Sequence, residues 1–152
     1  MDNIEQIIAA NNLQPADVIV LKKQVFAMLD HFSVYLGRDQ KTGLPVFAAN
    51  YTKGTQYIWG QDVEKFLLGL QPERIERFIG TQEQRDQAVA RALSKIGENN
   101  YNYFTNNCEH YKNYVQTGNP SSLQAEKLGN GLKVVAGAIF VGALLGRIFD
   151  VD

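Results

Sequence analysis

Cys108 is the one cysteine in the chain, and it sits in the stretch NNCEHYKNYVQTG with His110 two residues on. A thiolate is a nucleophile and a metal ligand, whereas a buried thiol is a small hydrophobe. Zinc fits poorly: Cys108 and His110 with one distant histidine, His31, leave a tetrahedral site a ligand short, so no metal is expected. Nucleophilic chemistry fits better. Asn106 or Asn107 is a good N-cap, which puts Cys108 in the first turn of a helix closed by Gly118 and Pro120. There the macrodipole favours a thiolate, and the first-turn N–H groups beside Asn107 are candidates for an oxyanion hole.

Helical spacing separates the neighbours of that cysteine. Tyr111 and Val115 share its face, so the sulfur points toward whatever the helix packs on. His110 lies roughly 200° around the helix at about 100° per residue, too far round to serve as the base for Cys108. The other histidine, His31, opens the run HFSVYLG, in which Phe32, Val34 and Leu36 alternate with His31, Ser33 and Tyr35. A strand face carrying His, Ser and Tyr suits the lining of a site, which makes Tyr35 a substrate-side candidate. If the helix lays its cysteine face there, thiol and imidazole meet, the minimum for thiolate catalysis. The alternative stays open: a single cysteine is commonly core, and a lone histidine at a strand start is commonly surface.

These residues need elements to position them. Asn3 to Ala10 carries Ile4, Ile7 and Ile8 at helical spacing; ADVIVLKK, HFSVYLG, LPVFAANY and TQYIWG read as strands, with RDQKTG a turn. Gln61 to Leu68 reads as a short helix, Arg74 to Ile79 as a further strand, and Glu83 to Ile96 as a helix with Ala88, Ala92 and Ile96 on one stripe. Strands and helices come in groups, which predicts an α+β fold with an antiparallel sheet packed against helices. At 152 residues, 45% hydrophobic and 20% charged, the chain supports one domain with an adequate core, or one domain plus an appendage. A net charge of −1 gives no broad footprint for nucleic acid, and the aromatic NYNYF has no Lys or Arg between Gly97 and Tyr111 to support base stacking. One cysteine fits a reducing compartment, and the acidic N-terminus is unlike a secretory signal.

NCEHY behind a polar loop, with DHFSVYLG far upstream and PADVIVLKK just before it, resembles the lecithin:retinol acyltransferase family, in particular its small phospholipase A/acyltransferase members. The resemblance runs from about Pro15 to the C-terminus. It implies a circularly permuted papain-like, NlpC-type fold with Cys108 as nucleophile and His31 as general base and acid, and no cofactor. Phospholipase members carry a second histidine on the following strand to orient the imidazole. Counting across the turn puts Ala48 near that position, and Asn50, on the same strand face, is the candidate orienting residue. Glu109 and His110 match the signature, and their helical position assigns them to holding the helix end.

The segment GLKVVAGAIFVGALLGRIF, residues 131–149, has only Lys133 and Arg147 as charged residues. Read from Leu132 to Phe149 with those two side chains reaching outward, it approaches the ~20 residues that span a bilayer. A buried core helix is the alternative, but the small phospholipase A/acyltransferase members similarly end in a hydrophobic anchor, which favours membrane attachment. The divisions expected are an N-terminal helical extension over 1–14, a catalytic domain over 15–120 and a hydrophobic helix or membrane anchor over 121–152. The resulting expectation is a membrane-associated thiol acyltransferase or phospholipase, its catalytic domain cytoplasmic, with a glycerophospholipid donor and an acyl acceptor as partners. An NlpC-type amidase or peptidase, or a non-catalytic membrane-associated scaffold of the same fold, is the alternative.

Overall fold

The structure is a computed structural model that describes residues 2–22, 30–51, 53–60, 62, 63, 65, 72–102, 105–123, 126 and 127. Its strands are β1 (Val18–Leu21), β2 (His31–Arg38), β3 (Pro45–Tyr51), β4 (Gly54–Trp59) and β5 (Pro72–Glu76). They form one antiparallel sheet in the order β4-β3-β2-β1-β5. Three helices accompany it among the described residues: α1 (Asp2–Ala10), α2 (Gln82–Ser94) and α3 (Cys108–Thr117). An α+β fold with an antiparallel sheet is therefore what forms.

Local chemistry explains the turns. Between β2 and β3 the Asp39 carboxylate accepts from the backbone N–H groups of Lys41 and Thr42 and from the Thr42 hydroxyl, holding the reversal. Gly54, at φ +97°, opens β4 where a Cβ would run into the carbonyl oxygen of Glu98. That close approach lets Thr55 N–H donate to Glu98 O and Gly97 N–H donate to Thr55 O, tying the sheet edge to the chain after α2.

Both faces of the sheet are covered. On one, Val18, Val20, Phe32, Val34 and Ala48 pack against Ala88 and Ala92 of α2 and Cys108, Tyr111 and Val115 of α3. On the other, Ile19, Leu21, Tyr35, Phe47, Ala49 and Ile58 pack against Ile4 and Ile8 of α1. The alternation read in HFSVYLG is real, with Phe32 and Val34 in the first cluster and Tyr35 in the second. Alanines 48, 88 and 92 leave room for the helices to approach the sheet closely, so that α3 settles over β2 and β3.

Asp17, just before β1, is the polar centre of the first cluster's edge. Its carboxylate accepts from the N–H groups of Gln14 and Phe78 and from Arg77 and Arg85 at 2.8 and 3.2 Å. The Phe78 N–H bond explains where β5 stops. The strand read over Arg74–Ile79 ends at Glu76, Phe78 turns in to Asp17, and Ile79 stands 94% exposed. Of the helix read over Gln61–Leu68, residues 62, 63 and 65 are described and helical, with Val63 buried in the second cluster. The hydrophobic helix read over 131–149 lies outside the described residues. Among the described residues no helix is long and apolar enough to cross a membrane.

Candidate active site

Asn107 builds the start of α3. Its side-chain oxygen accepts from the N–H groups of Glu109 (2.9 Å) and His110 (3.1 Å), and His110 Nδ1 lies 3.3 Å from the Asn107 N–H in return. This is a capping box with histidine in the returning role. On its other side Asn107 Nδ2 donates to the Ser122 hydroxyl (3.2 Å), which donates to the buried Glu109 carboxylate (2.6 Å). The Asn107 side chain is thus committed to the cap and to Ser122. Tyr111 N–H donates to Asn107 O, so the N–H groups of residues 109, 110 and 111 are all engaged. An oxyanion hole drawn from this helix turn has to be built on the Cys108 N–H. Burial pushes the His110 imidazole below its ordinary pKa, against the opposing pull of Glu109 and Glu126, which favours the neutral ring.

With its helix start fixed, Cys108 is buried against the sheet. His31 Nδ1 lies 3.5 Å from its sulfur, and the thiol donates to the main-chain carbonyl of Asn50 at 2.6 Å. The Asn50 side chain is buried and its Nδ2 donates to Asn106 O (3.2 Å), Asn106 Oδ1 (3.2 Å) and, more weakly, Asn107 O (3.5 Å). Asn50 therefore ties the end of β3 to the turn that caps α3, while its own carbonyl accepts the hydrogen bond from the Cys108 thiol. The Asn50 side-chain carbonyl has no hydrogen-bond partner among the described residues. The Tyr51 ring flanks the pair, tilted 44° to the His31 ring at a centroid separation of 6.4 Å. Burial, with a smaller contribution from charge on Cys108, raises the Tyr51 hydroxyl far above its ordinary pKa, which keeps it protonated.

The lecithin retinol acyltransferase family matches residues 11–121, a span that takes in the whole sheet, α2, α3 and Cys108, His31 and Asn50, with Ser122 one residue beyond it. The chain belongs to that family. No curated protein matches it. Membership brings with it acyltransferase-type activity in general terms, and α1 lies ahead of the matched span.

Within this family member the geometry departs from the sequence reading in two places. The helix was expected to lay its cysteine face on the His31, Ser33 and Tyr35 side of β2; it packs instead on the Phe32 and Val34 side. Cys108 and His31 still meet because His31 is the first residue of β2, where the ring can pass the sheet end instead of being held to one face. Tyr35 has no such freedom. It is 4% exposed in the opposite cluster, with its ring 5.0 Å from that of Phe47, and so stands across the sheet from the sulfur. Sequence reasoning also passed over Tyr51 and Ser122. Tyr51 directly follows Asn50 at the strand end, a position that signals proximity to the site, whereas nothing local in SSLQ marks Ser122. Among the described residues no group of His, Cys, Asp and Glu is arranged to hold a metal ion.

Proposed function

We propose that the chain is a cysteine-dependent acyltransferase and phospholipase A-type hydrolase acting on glycerophospholipids. The observation that carries this reading is the 3.5 Å approach of His31 Nδ1 to Cys108 Sγ at the start of α3, in a member of this family. In the resting arrangement the Cys108 thiol keeps its proton and donates it in a hydrogen bond to Asn50 O. Rotation about the Cys108 side chain turns it to His31 Nδ1, which accepts it as the sulfur attacks an ester carbonyl. The tetrahedral intermediate collapses, the carbon–oxygen bond breaks, and His31 returns the proton to the departing lysophospholipid oxygen. A thioester remains on Cys108. Water, an amine or an alcohol then attacks it, giving its proton to His31; the carbon–sulfur bond breaks, the fatty acid, amide or ester leaves, and His31 returns the proton to the Cys108 sulfur. Asn50 supports the chemistry by holding the Asn106–Asn107 turn; its side-chain oxygen has no hydrogen-bond partner among the described residues, so orienting the imidazole would require it to turn onto the His31 ring.

The sheet with a nucleophile at a helix start is consistent with the circularly permuted papain-like arrangement implied by the sequence. The apolar run over 131–149 supports membrane association, with the catalytic domain on the cytoplasmic side. Fatty-acid and lysolipid release from phosphatidylcholine vesicles tests the reading. Wild type is expected to release both, Cys108→Ser neither, and His31→Ala to lose about 10²-fold or more of the rate. Equal release by all three proteins would remove Cys108 and His31 from the mechanism.

A further inference from the structure

After Gly118 ends α3 in the left-handed conformation, the chain folds back along the helix it has just left. Asn113 Nδ2 donates to Ser121 O (2.9 Å) and Ser121 Oγ (3.3 Å), which brings the next residue, Ser122, to the first helical turn. Ser122 is 2% exposed there. Its hydroxyl accepts from Asn107 Nδ2 at 3.2 Å and donates to Glu109 Oε2 at 2.6 Å, so it bridges the residues on either side of Cys108. The acyl-transfer steps above give this hydroxyl no part. It belongs to the stretch that leads on to the apolar run over 131–149, and not to the helix that carries the nucleophile.

A hydroxyl has one proton to give, and a carboxylate can only accept. The Glu109 carboxylate therefore takes the Ser122 proton and leaves the oxygen's lone pairs to the Asn107 amide. That direction matters because the two ends of a carboxamide have nearly the same shape, so their partners alone decide which end faces which way. With Nδ2 held on Ser122, Asn107 Oδ1 faces the N–H groups of Glu109 and His110, as the cap requires. Turned over, Nδ2 would meet those groups donor to donor and the turn would open. The same turn carries the Cys108 N–H, on which the oxyanion hole has to be built. We propose that Ser122 is a positioning residue for the reaction: its hydroxyl sets the direction of the Asn107 carboxamide, so the chain beyond α3 completes the nucleophile's turn. The inference rests on the acyl-transfer reading above and adds a residue outside the helix and the sheet on which turnover depends.

A double-mutant cycle over Ser122→Ala and Asn107→Ala in the full chain tests it. The quantities read are kcat and KM on a short-chain phosphatidylcholine below its micelle concentration, at a temperature where unfolding curves show all four proteins folded. Ser122→Ala is expected to lower kcat about tenfold and to leave KM within about twofold, because the oxyanion exists only beyond the ground state. Asn107→Ala should lower kcat at least as far. The double variant should match Asn107→Ala, since Ser122 acts through that amide. A Ser122→Ala protein with wild-type kcat, a loss carried by KM, or losses that multiply in the double variant would each overturn the positioning role and leave the acyl-transfer reading in place. A wild type that does not cleave the lipid overturns that reading, and the positioning role falls with it.

Discussion

His31 Nδ1 and Cys108 Sγ stand 3.5 Å apart although 77 positions separate them in the chain. Two independent local structures bring them there. The cysteine is placed by the Asn107 cap, and the histidine by being the first residue of β2, paired with Leu21 of β1. Asn50 ties the end of β3 to the cysteine's side of this pair, with its side chain on the capping turn and its carbonyl on the thiol.

Loss of the cap should be visible as lost stability. Asn107→Ala removes two accepted hydrogen bonds and the bond to Ser122, and is expected to cost about 1–2 kcal/mol in denaturant unfolding. Asn107→Asp keeps the acceptor but sets a second carboxylate near Glu109 across Ser122, and should fall between alanine and wild type. An unchanged midpoint in Asn107→Ala would mean that the helix start is held by other contacts.

Asp17 sets the acid limit of the fold. Burial alone would raise its pKa, but hydrogen bonds from Phe78 N–H, Arg77, Gln14 N–H and Arg85 outweigh it, and the carboxyl ends below its ordinary 3.8. A carboxylate whose folded pKa is depressed binds fewer protons folded than unfolded. Its stabilisation is complete above the unfolded value and is lost as pH falls below about 4, through the folded pKa. Asp17→Asn, which leaves both arginines without their counter-charge, should cost about 3 kcal/mol at neutral pH and flatten the acid limb of a stability–pH curve. A parallel curve, merely displaced, would assign the acid limb to other groups.

His110 contributes at milder pH. Its folded pKa is depressed, so stability is present above its ordinary 6.5 and declines as pH falls from there toward the folded value. His110→Gln should abolish that decline in chemical denaturation measured between about pH 7 and 5, and a decline that persists in the variant would have another source.

Tyr35 is buried across the sheet from the sulfur, so Tyr35→Phe should leave kcat/KM within about twofold of wild type. A hundredfold loss would return Tyr35 to the reaction and contradict the placement of α3 on the Phe32 side.

Much of this was legible in the sequence where the signal is local. The Asn107 cap, the Gly118 stop and the face shared by Cys108, Tyr111 and Val115 follow from a dozen consecutive residues, and all are as read. Alternation in HFSVYLG assigned side chains to faces correctly. Which face receives α3 was not legible, because VIVL in β1 is apolar at every position and gives no polarity to the sheet. Ala48 and Ala49 are equally small on opposite faces, so the choice depends on how the helices fit each face in three dimensions. The pairing of Asp17 with Arg77 and Arg85, separated by 60 and 68 positions, was hidden for the same reason. Tyr35 was misplaced through the assumption that a polar strand face lines a site; α1 covers that face with Ile4 and Ile8.

The most direct measurement is intact-protein mass after incubation with phospholipid vesicles, comparing wild type with Cys108→Ser. Wild type should gain one acyl-sized increment that hydroxylamine removes, and the variant should gain none. An increment that persists in Cys108→Ser, or the absence of any adduct together with no release of fatty acid or lysolipid, would contradict a Cys108 thioester.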